Sequence, residues 1–224
     1  MVDVLTNPLN LIIVALGVGF LLPLVDRYNP VLCRSLFNFA LLYQAAVPLL
    51  WLVWLGDGAP VREIETAGIA PPFAINLRFG LEEAFFVAGV NLASLLGAWY
   101  LKGLLRGRAT AMSVFVVLTM GIDGMIMTRD LFNLFIFIEI TAIATYGLLA
   151  LERTATALGA GFKYIIATSL ASSFFLLGTM FFYYLTGTLN IDDMHAQIHL
   201  VQGPLGILAM SLLVAGVVIE LKPY

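Results

Sequence analysis

Charge is scarce in this sequence. Asp, Glu, Lys and Arg together make up 11% of it, where soluble domains carry about 25%. Apolar residues make up 61% and the mean hydropathy is +1.00. Such a chain has too little polar surface to cover itself in water and needs lipid as its solvent. Cysteine is nearly absent: Cys33 stands alone, which excludes an internal disulfide framework and a thiolate-held cluster. It reads as a small apolar residue near a helix end. There are two histidines, His195 and His199, and neither lies in an apolar run. A membrane haem needs histidines within spans, so a haem-bearing subunit is not expected. The two are four residues apart and would share a helical face. With Asp192 and Asp193 they make only a weak metal site, so neither metal nor cofactor is expected. A net charge of −3 offers no basic face for nucleic acid. Phosphate-binding glycine loops, catalytic triads and metal motifs are missing, so no catalytic chemistry of the chain's own is expected. The first apolar run lacks a basic start and a small-residue cleavage site, and reads as a retained helix.

What is present is a series of runs near the roughly 20 residues that a spanning helix needs. They cover 8–25, 36–55, 83–101, 109–127, 131–151, 161–185 and 204–221. The expected fold is all-α: one polytopic transmembrane domain over 1–224, a bundle of about seven helices. Between the second and third runs, 56–80 is too polar to span. It holds Asp57, Arg62, Glu63, Glu65, Arg78 and prolines at 60, 71 and 72. Its strand-like pieces at 61–64 and 74–77 suit an extramembrane hairpin. A tight turn is expected at Thr128-Arg129-Asp130, between the fourth and fifth runs. With the N-terminus outside, the inner loops hold Arg27, Arg34, Lys102, Arg106, Arg108 and Arg153, and the outer loops hold Arg62, Arg78 and Arg129. Lysine and arginine favour the cytoplasmic side, so an N-out, multi-pass protein of the inner (plasma) membrane is expected.

The informative residues are charges placed where charge is expensive. Glu139 lies nine residues past Asp130, about 14 Å into a hydrocarbon core about 30 Å thick. A carboxylate there must be protonated, paired, or facing internal water; a structural ion pair between helices is the bland alternative. Lys163 opens the sixth run and either snorkels to the interface or meets internal water. Glu220 and Lys222 end the seventh run, where Pro223 removes a backbone donor and interrupts the helix. Lys222 is either an interfacial anchor or a modulator beside a cavity of the kind broken helices line. Asp123, between Gly121 and Gly124, is either a solvated helix end or part of a path. Thr168, Ser169, Ser172 and Ser173 on the sixth run, and Thr141, Thr145 and Tyr146 on the fifth, could extend a hydrogen-bonded path. Such residues also glue helices together.

Four pieces carry a family resemblance. Asp130-Leu131-Phe132-Asn133-Leu134-Phe135 through Glu139, then Thr145-Tyr146-Gly147-Leu148-Leu149, resembles the fifth-helix motif of antiporter-like membrane subunits. These are the large subunits of Mrp-type sodium/proton antiporters, membrane-bound hydrogenases and respiratory complex I. Gly161-Phe162-Lys163-Tyr164 with Ser172-Ser173-Phe174-Phe175-Leu176-Leu177-Gly178 resembles the sixth helix. Glu220-Leu221-Lys222-Pro223 resembles the lysine-bearing break in the seventh, and Pro71-Pro72-Phe73 with Ile75-Asn76-Leu77 the end of the external hairpin. Their order and spacing agree over nearly the whole chain. The fifth and sixth helices look closer to the Mrp and membrane-bound hydrogenase branch than to mitochondrial complex I.

The resemblance implies a proton-translocating subunit, with or without sodium exchange, in an antiporter or a translocase of the NADH- or ferredoxin-linked oxidoreductase or hydrogenase kind. In it Glu139 pairs with Lys222 and protonation passes through Lys163. Apart from the resemblance, the residues themselves offer Asp123, Thr141, Thr145, Tyr146, Ser172, Ser173 and Glu220 as a candidate path. The resemblance further implies about 14 helices in two inverted halves. This sequence carries the first seven, so other membrane subunits, and a chain or segment supplying helices 8–14, are expected partners alongside lipid, H⁺ and Na⁺. The alternative is a structural or assembly subunit of the same kind of complex without its own ion path.

Overall fold

The computed structural model describes residues 7–65, 68, 74–105 and 107–221. Its elements run α1 (Leu9–Asp26), α2 (Pro30–Gly56), β1 (Arg62–Glu65), β2 (Asn76–Phe79), α3 (Leu81–Tyr100), the short α4 (Lys102–Leu105), α5 (Ala109–Met127), α6 (Leu131–Leu149), α7 (Ala155–Thr186), the short α8 (Ile191–Ala196) and α9 (Pro204–Glu220). Six helices are long and apolar enough to cross a membrane, and α9 is a shorter apolar helix of 17 residues. The all-α membrane bundle expected from composition is what forms. β1 and β2 make a two-stranded sheet, one to two residues further along than the alternation placed them.

Two helices begin well before their apolar runs. Asn29 accepts hydrogen bonds from the Val31 and Leu32 amides at 3.0 and 3.1 Å, and Pro30 occupies the first turn. The cap therefore starts α2 six residues ahead of the run at 36. Thr154 accepts from the Ala157 amide at 3.1 Å and starts α7 at Ala155 rather than 161, so that this helix reaches 32 residues. Hydropathy marks the hydrocarbon, whereas caps mark the helix, and here the helix outruns the hydrocarbon.

The chain divides into two compact units, one of residues 1–64 and 78–127, the other of 65–77 and 128–224. In the first, α1 packs on α5 and α2 on α3. Gly19 lets α1 approach closely: a Cβ there would meet the Val117 side chain at 3.2 Å, and the Ser113 hydroxyl donates to the Gly19 carbonyl. Trp51 of α2 is fully buried with its ring 3.6 Å from that of Phe79. Glu83 folds back to accept from the Gly80 amide at 3.0 Å and sits 3.7 Å from Arg78, so the start of α3 is capped and charge-balanced.

In the second unit α7 is the central helix, touching α6 on one side and α9 on the other. The α7–α9 seam is built of small residues. A Cβ on Gly216 would meet the Ala171 carbonyl oxygen at 2.8 Å and the Phe175 amide at 3.0 Å; one on Gly178 would meet the Leu213 amide at 2.9 Å. Backbones approach this closely only where side chains are missing. Around this seam Leu131, Phe175, Phe182, Met194, Val201 and Ala209 form the core. Where a tight turn was expected, residues 128–130 run through two isolated bridges with Asp130 extended, and the link is strongly tied. Thr128 bridges Leu77, Asp130 bridges Asn190, and Arg129 pairs with Asp192 through Nε at 3.0 Å and through its Nη2. The Asn190 side-chain amide donates to the Asn76 side-chain oxygen, Oδ1, at 2.9 Å. His195 and His199 do not share a helix: α8 ends at Ala196 and His199 sits in a 3₁₀ turn, so their common face is broken. Among the described residues no cluster could hold a metal.

Asp130 caps α6, its carboxylate accepting from the Asn133 amide at 2.7 Å. Burial pushes this carboxyl above the ordinary carboxylate range, against the opposing pull of the Asn133 and Phe132 amides. Its folded form therefore holds the proton more tightly than the unfolded one, and stability declines as pH rises through that window. Asp130→Ala is expected to cost about 1 kcal/mol through the lost cap, and Asp130→Asn to keep the cap and flatten the pH dependence. Thermal unfolding of the detergent-solubilised protein across pH checks both. Gly216→Val should destabilise by about 1–3 kcal/mol in the same assay, through overpacking at the α7–α9 seam.

Candidate functional site

Glu139 is the ninth of the nineteen residues of α6. With 1.5 Å per residue and Asp130 pinned at the helix start, its depth is about 12–14 Å. The helical spacing puts it beside Ala142 and Tyr146, three and seven residues on. Ala142 is buried, and the Tyr146 ring lies where a Cβ on Gly161 of α7 would meet it at 3.1 Å. On the other flank of Glu139 lie Phe132, Ile136 and Ile143, all exposed. The carboxylate is half-buried, on the border between the α6–α7 seam and an open apolar face. Of the six spanning helices α6 is the least covered.

The other candidates divide clearly. Thr141 donates to the Phe137 carbonyl and Thr145 to the Thr141 carbonyl, each at 2.8 Å. Ser173 donates to the Ser169 carbonyl at 2.7 Å, and the buried Ser172 to the same oxygen at 3.3 Å. Thr168 does likewise within α7. Their hydroxyl protons are committed to their own helices, which leaves the oxygens as acceptors only. Lys163 is exposed near the start of α7, and Glu220 is half-buried at the end of α9. Lys222, like Pro71-Pro72-Phe73, lies outside the described residues, so the expected Glu139–Lys222 pair does too.

Asp123 is not a solvated helix end. It is fully buried in the first unit, and its partner is Asn91 of α3, whose side-chain amide donates to the two carboxyl oxygens at 2.8 and 3.0 Å and to the Val87 carbonyl at 2.9 Å. Asn91 and Gln44, which sits in the middle of α2, are each 1% exposed. The Asn91 Oδ1 and both polar atoms of the Gln44 amide have no protein hydrogen bond. A search for charges alone passes over these two residues, yet a signal exists: an amide in the middle of an apolar span is as conspicuous as a charge.

A bundle of helices long and apolar enough to span a membrane, with one acid at mid-span and another locked in the interior of its unit, defines a polytopic membrane protein. Comparison with known proteins carries this further. Residues 128–222 match the family described as NADH:quinone oxidoreductase/Mrp antiporter, transmembrane. The chain is 32% identical over 96% of its length to NADH-quinone oxidoreductase subunit N of Desulforudis audaxviator, covering 44% of that protein. It is 29% identical over 91% of its length to a Na⁺/H⁺ antiporter subunit of Alkalihalophilus pseudofirmus, covering 42%. Among solved structures it superposes with a TM-score of 0.82 and 30% identity on a chain of the membrane-bound sulfane sulfur reductase, an archaeal respiratory membrane complex, covering 94% of this chain and 44% of that one. Residues 128–222 thus match the transmembrane part of that family, and the chain as a whole is similar to its antiporter-like membrane subunits. It spans less than half the length of these relatives.

Asn91→Ala leaves the buried Asp123 without its donor and is expected to cost about 1–3 kcal/mol. In a double-mutant cycle, Asn91→Leu with Asp123→Leu should cost less than the sum of the singles, because both polar groups then vanish together. Unfolding midpoints of the four proteins check this.

Proposed function

We propose that this chain is a proton-translocating membrane subunit of a multi-subunit antiporter or redox-driven pump, with Glu139 as its charge-holding residue. The observation that carries the reading is the mid-span carboxylate of α6 at the edge of the α6–α7 seam. A carboxylate at that depth costs at least a few kcal/mol unless it is protonated, paired or hydrated. Two devices lower that cost: the proton itself, and a cation that comes and goes. Lys222 is assigned the second role and Lys163 that of relaying the proton, on the family motifs they occupy. Moving the amine toward the carboxylate lowers the carboxyl's proton affinity, and withdrawing it raises that affinity again. An exchange of this kind is all that a proton step requires.

The uncovered face beside Glu139 is the place where further helices of the assembly would pack, supplied by other membrane subunits or by the segment corresponding to the second half of the relatives. The name of one relative, a Na⁺/H⁺ antiporter subunit, supports H⁺ as the ion, with or without exchange for Na⁺. The chain is assigned to the plasma membrane with its N-terminus outside, on the lysine and arginine count.

Glu139→Ala should abolish proton pumping in membrane vesicles while the assembled complex keeps its size on a native gel, and Glu139→Gln should do the same. Normal pumping by Glu139→Gln would remove Glu139 from the mechanism and leave a structural subunit in its place. Imposing a Na⁺ gradient on the same vesicles separates exchange from proton movement alone.

A further inference from the structure

In the first unit, at the end where α1 hands over to α2 and α3 to α5, a cavity of about 620 Å³ opens between α2 and α3. Its walls are apolar: Phe37, Leu41 and Leu42 from α2, Leu95 and Leu96 from α3, and Met112 from α5. Its polar lining is Arg34 and Asn38 on α2 and Lys102 at the start of α4. Among the described residues no carboxylate lines it. Leu41 lies seven residues beyond Arg34 on the same helix, so the apolar part runs about 10 Å along the span from the level of the cations.

The same end of the unit carries exposed aromatic residues. Trp99 and Tyr100 close α3 and Tyr28 sits in the α1–α2 loop, at 74%, 91% and 86% exposure. Such residues gather at the headgroup level of a bilayer. The two cations therefore stand at the interface and the leucine walls descend from it into hydrocarbon. This is the polarity profile of a phospholipid: an anionic head, then an acyl chain. A guanidinium offers a phosphate two parallel donors, an ammonium adds a flexible point charge, and the Asn38 amide supplies a neutral donor. A cavity of this size is within the range that holds a bound small molecule. A helix from another protein would fit the leucine walls but would leave both cations buried without a counter-charge, which is costly.

We propose that this cavity is a binding site for one anionic phospholipid, its phosphate held by Arg34 and Lys102 and an acyl chain seated along Leu41, Leu42, Leu95 and Leu96. The site is built from residues of the first unit alone and does not depend on the transport reading. Its occupant would fill the space between α2 and α3 at the interface and so brace that end of the unit, as basic pockets between membrane helices do when they hold lipid headgroups.

The test uses the full chain in nanodiscs of equal phosphatidylglycerol and phosphatidylcholine, with retained lipid counted by native mass spectrometry after mild detergent extraction. Phosphatidylglycerol should be retained over phosphatidylcholine by about thirtyfold, the factor that two basic contacts of about 1 kcal/mol each give. The double variant Arg34→Gln/Lys102→Gln should lose that preference. Arg27→Gln, a cation at the same end that does not line the cavity, should keep it. Equal retention of the two lipids, or an unchanged preference in the double variant, overturns the proposal. A photo-reactive residue at position 38 in an otherwise unaltered chain serves if the double variant does not fold. A lipid adduct supports the site, and an adduct to a partner protein or a second copy overturns it.

Discussion

Hydrocarbon offers no hydrogen bonds, and almost every local choice in this molecule answers that fact. The backbone groups of the spans are satisfied within helices. The hydroxyls inside them turn back on their own carbonyls: Thr119 on Phe115, Thr141 on Phe137, Thr179 on Phe175, Ser211 on Ile207. Two spans that carry polar groups through the first unit meet side chain to side chain, where Asn91 answers Asp123. Glu139 stands on a half-open face of the second unit, where the proton or a mobile cation would do what Asn91 does for Asp123.

The depth of Glu139 is itself a consequence of polar pairing outside the hydrocarbon. Residues 128–130 form a knot within the second unit. The Arg129 amide donates to the Asn76 carbonyl, the Leu131 amide to the Leu189 carbonyl and the Ile191 amide to the Arg129 carbonyl. Asn190 caps α8 through the Asp192 and Asp193 amides while its own amide holds Asn76. The knot joins the end of the hairpin, the start of α6 and the start of α8. A helix whose first residue is held in this way cannot slide along its axis, and a residue nine positions on is held at one depth. A functional acid in a membrane needs that, because its proton affinity changes steeply with depth.

Packing in the second unit follows from small residues rather than large ones. Gly178 and Gly216 bring α7 and α9 within backbone contact, and Gly161 receives the ring of Tyr146. Between helices in lipid there is little gain from hiding apolar surface, so close van der Waals approach carries the association. The result is a tight α7–α9 pair beside an α6 that is covered along one seam only, and that seam borders the mid-span acid.

How far all this was legible from residues alone depends on whether a feature is counted along one helix or decided between two. The order of the six long spans, the polar stretch between the second and third, and the place of Glu139 nine residues past Asp130 follow from apolar length and a fixed rise per residue, both local quantities. The starts of α2 and α7 were legible in part: Asn29-Pro30 and Thr154 are cap signals that hydropathy alone passes over. Asp123 read equally well as a solvated end, because nothing near it in the chain reveals that Asn91, 32 residues away, completes it. The link between Asn76 and Asn190, 114 residues apart, was equally hidden. Sequence by itself determined how far along its own helix each residue stands, since a helix converts residue number into rise. Only the tertiary structure decided which residues face one another, since that depends on how each helix is rotated and tilted against its neighbours, and packing contacts distributed over each unit set those angles together.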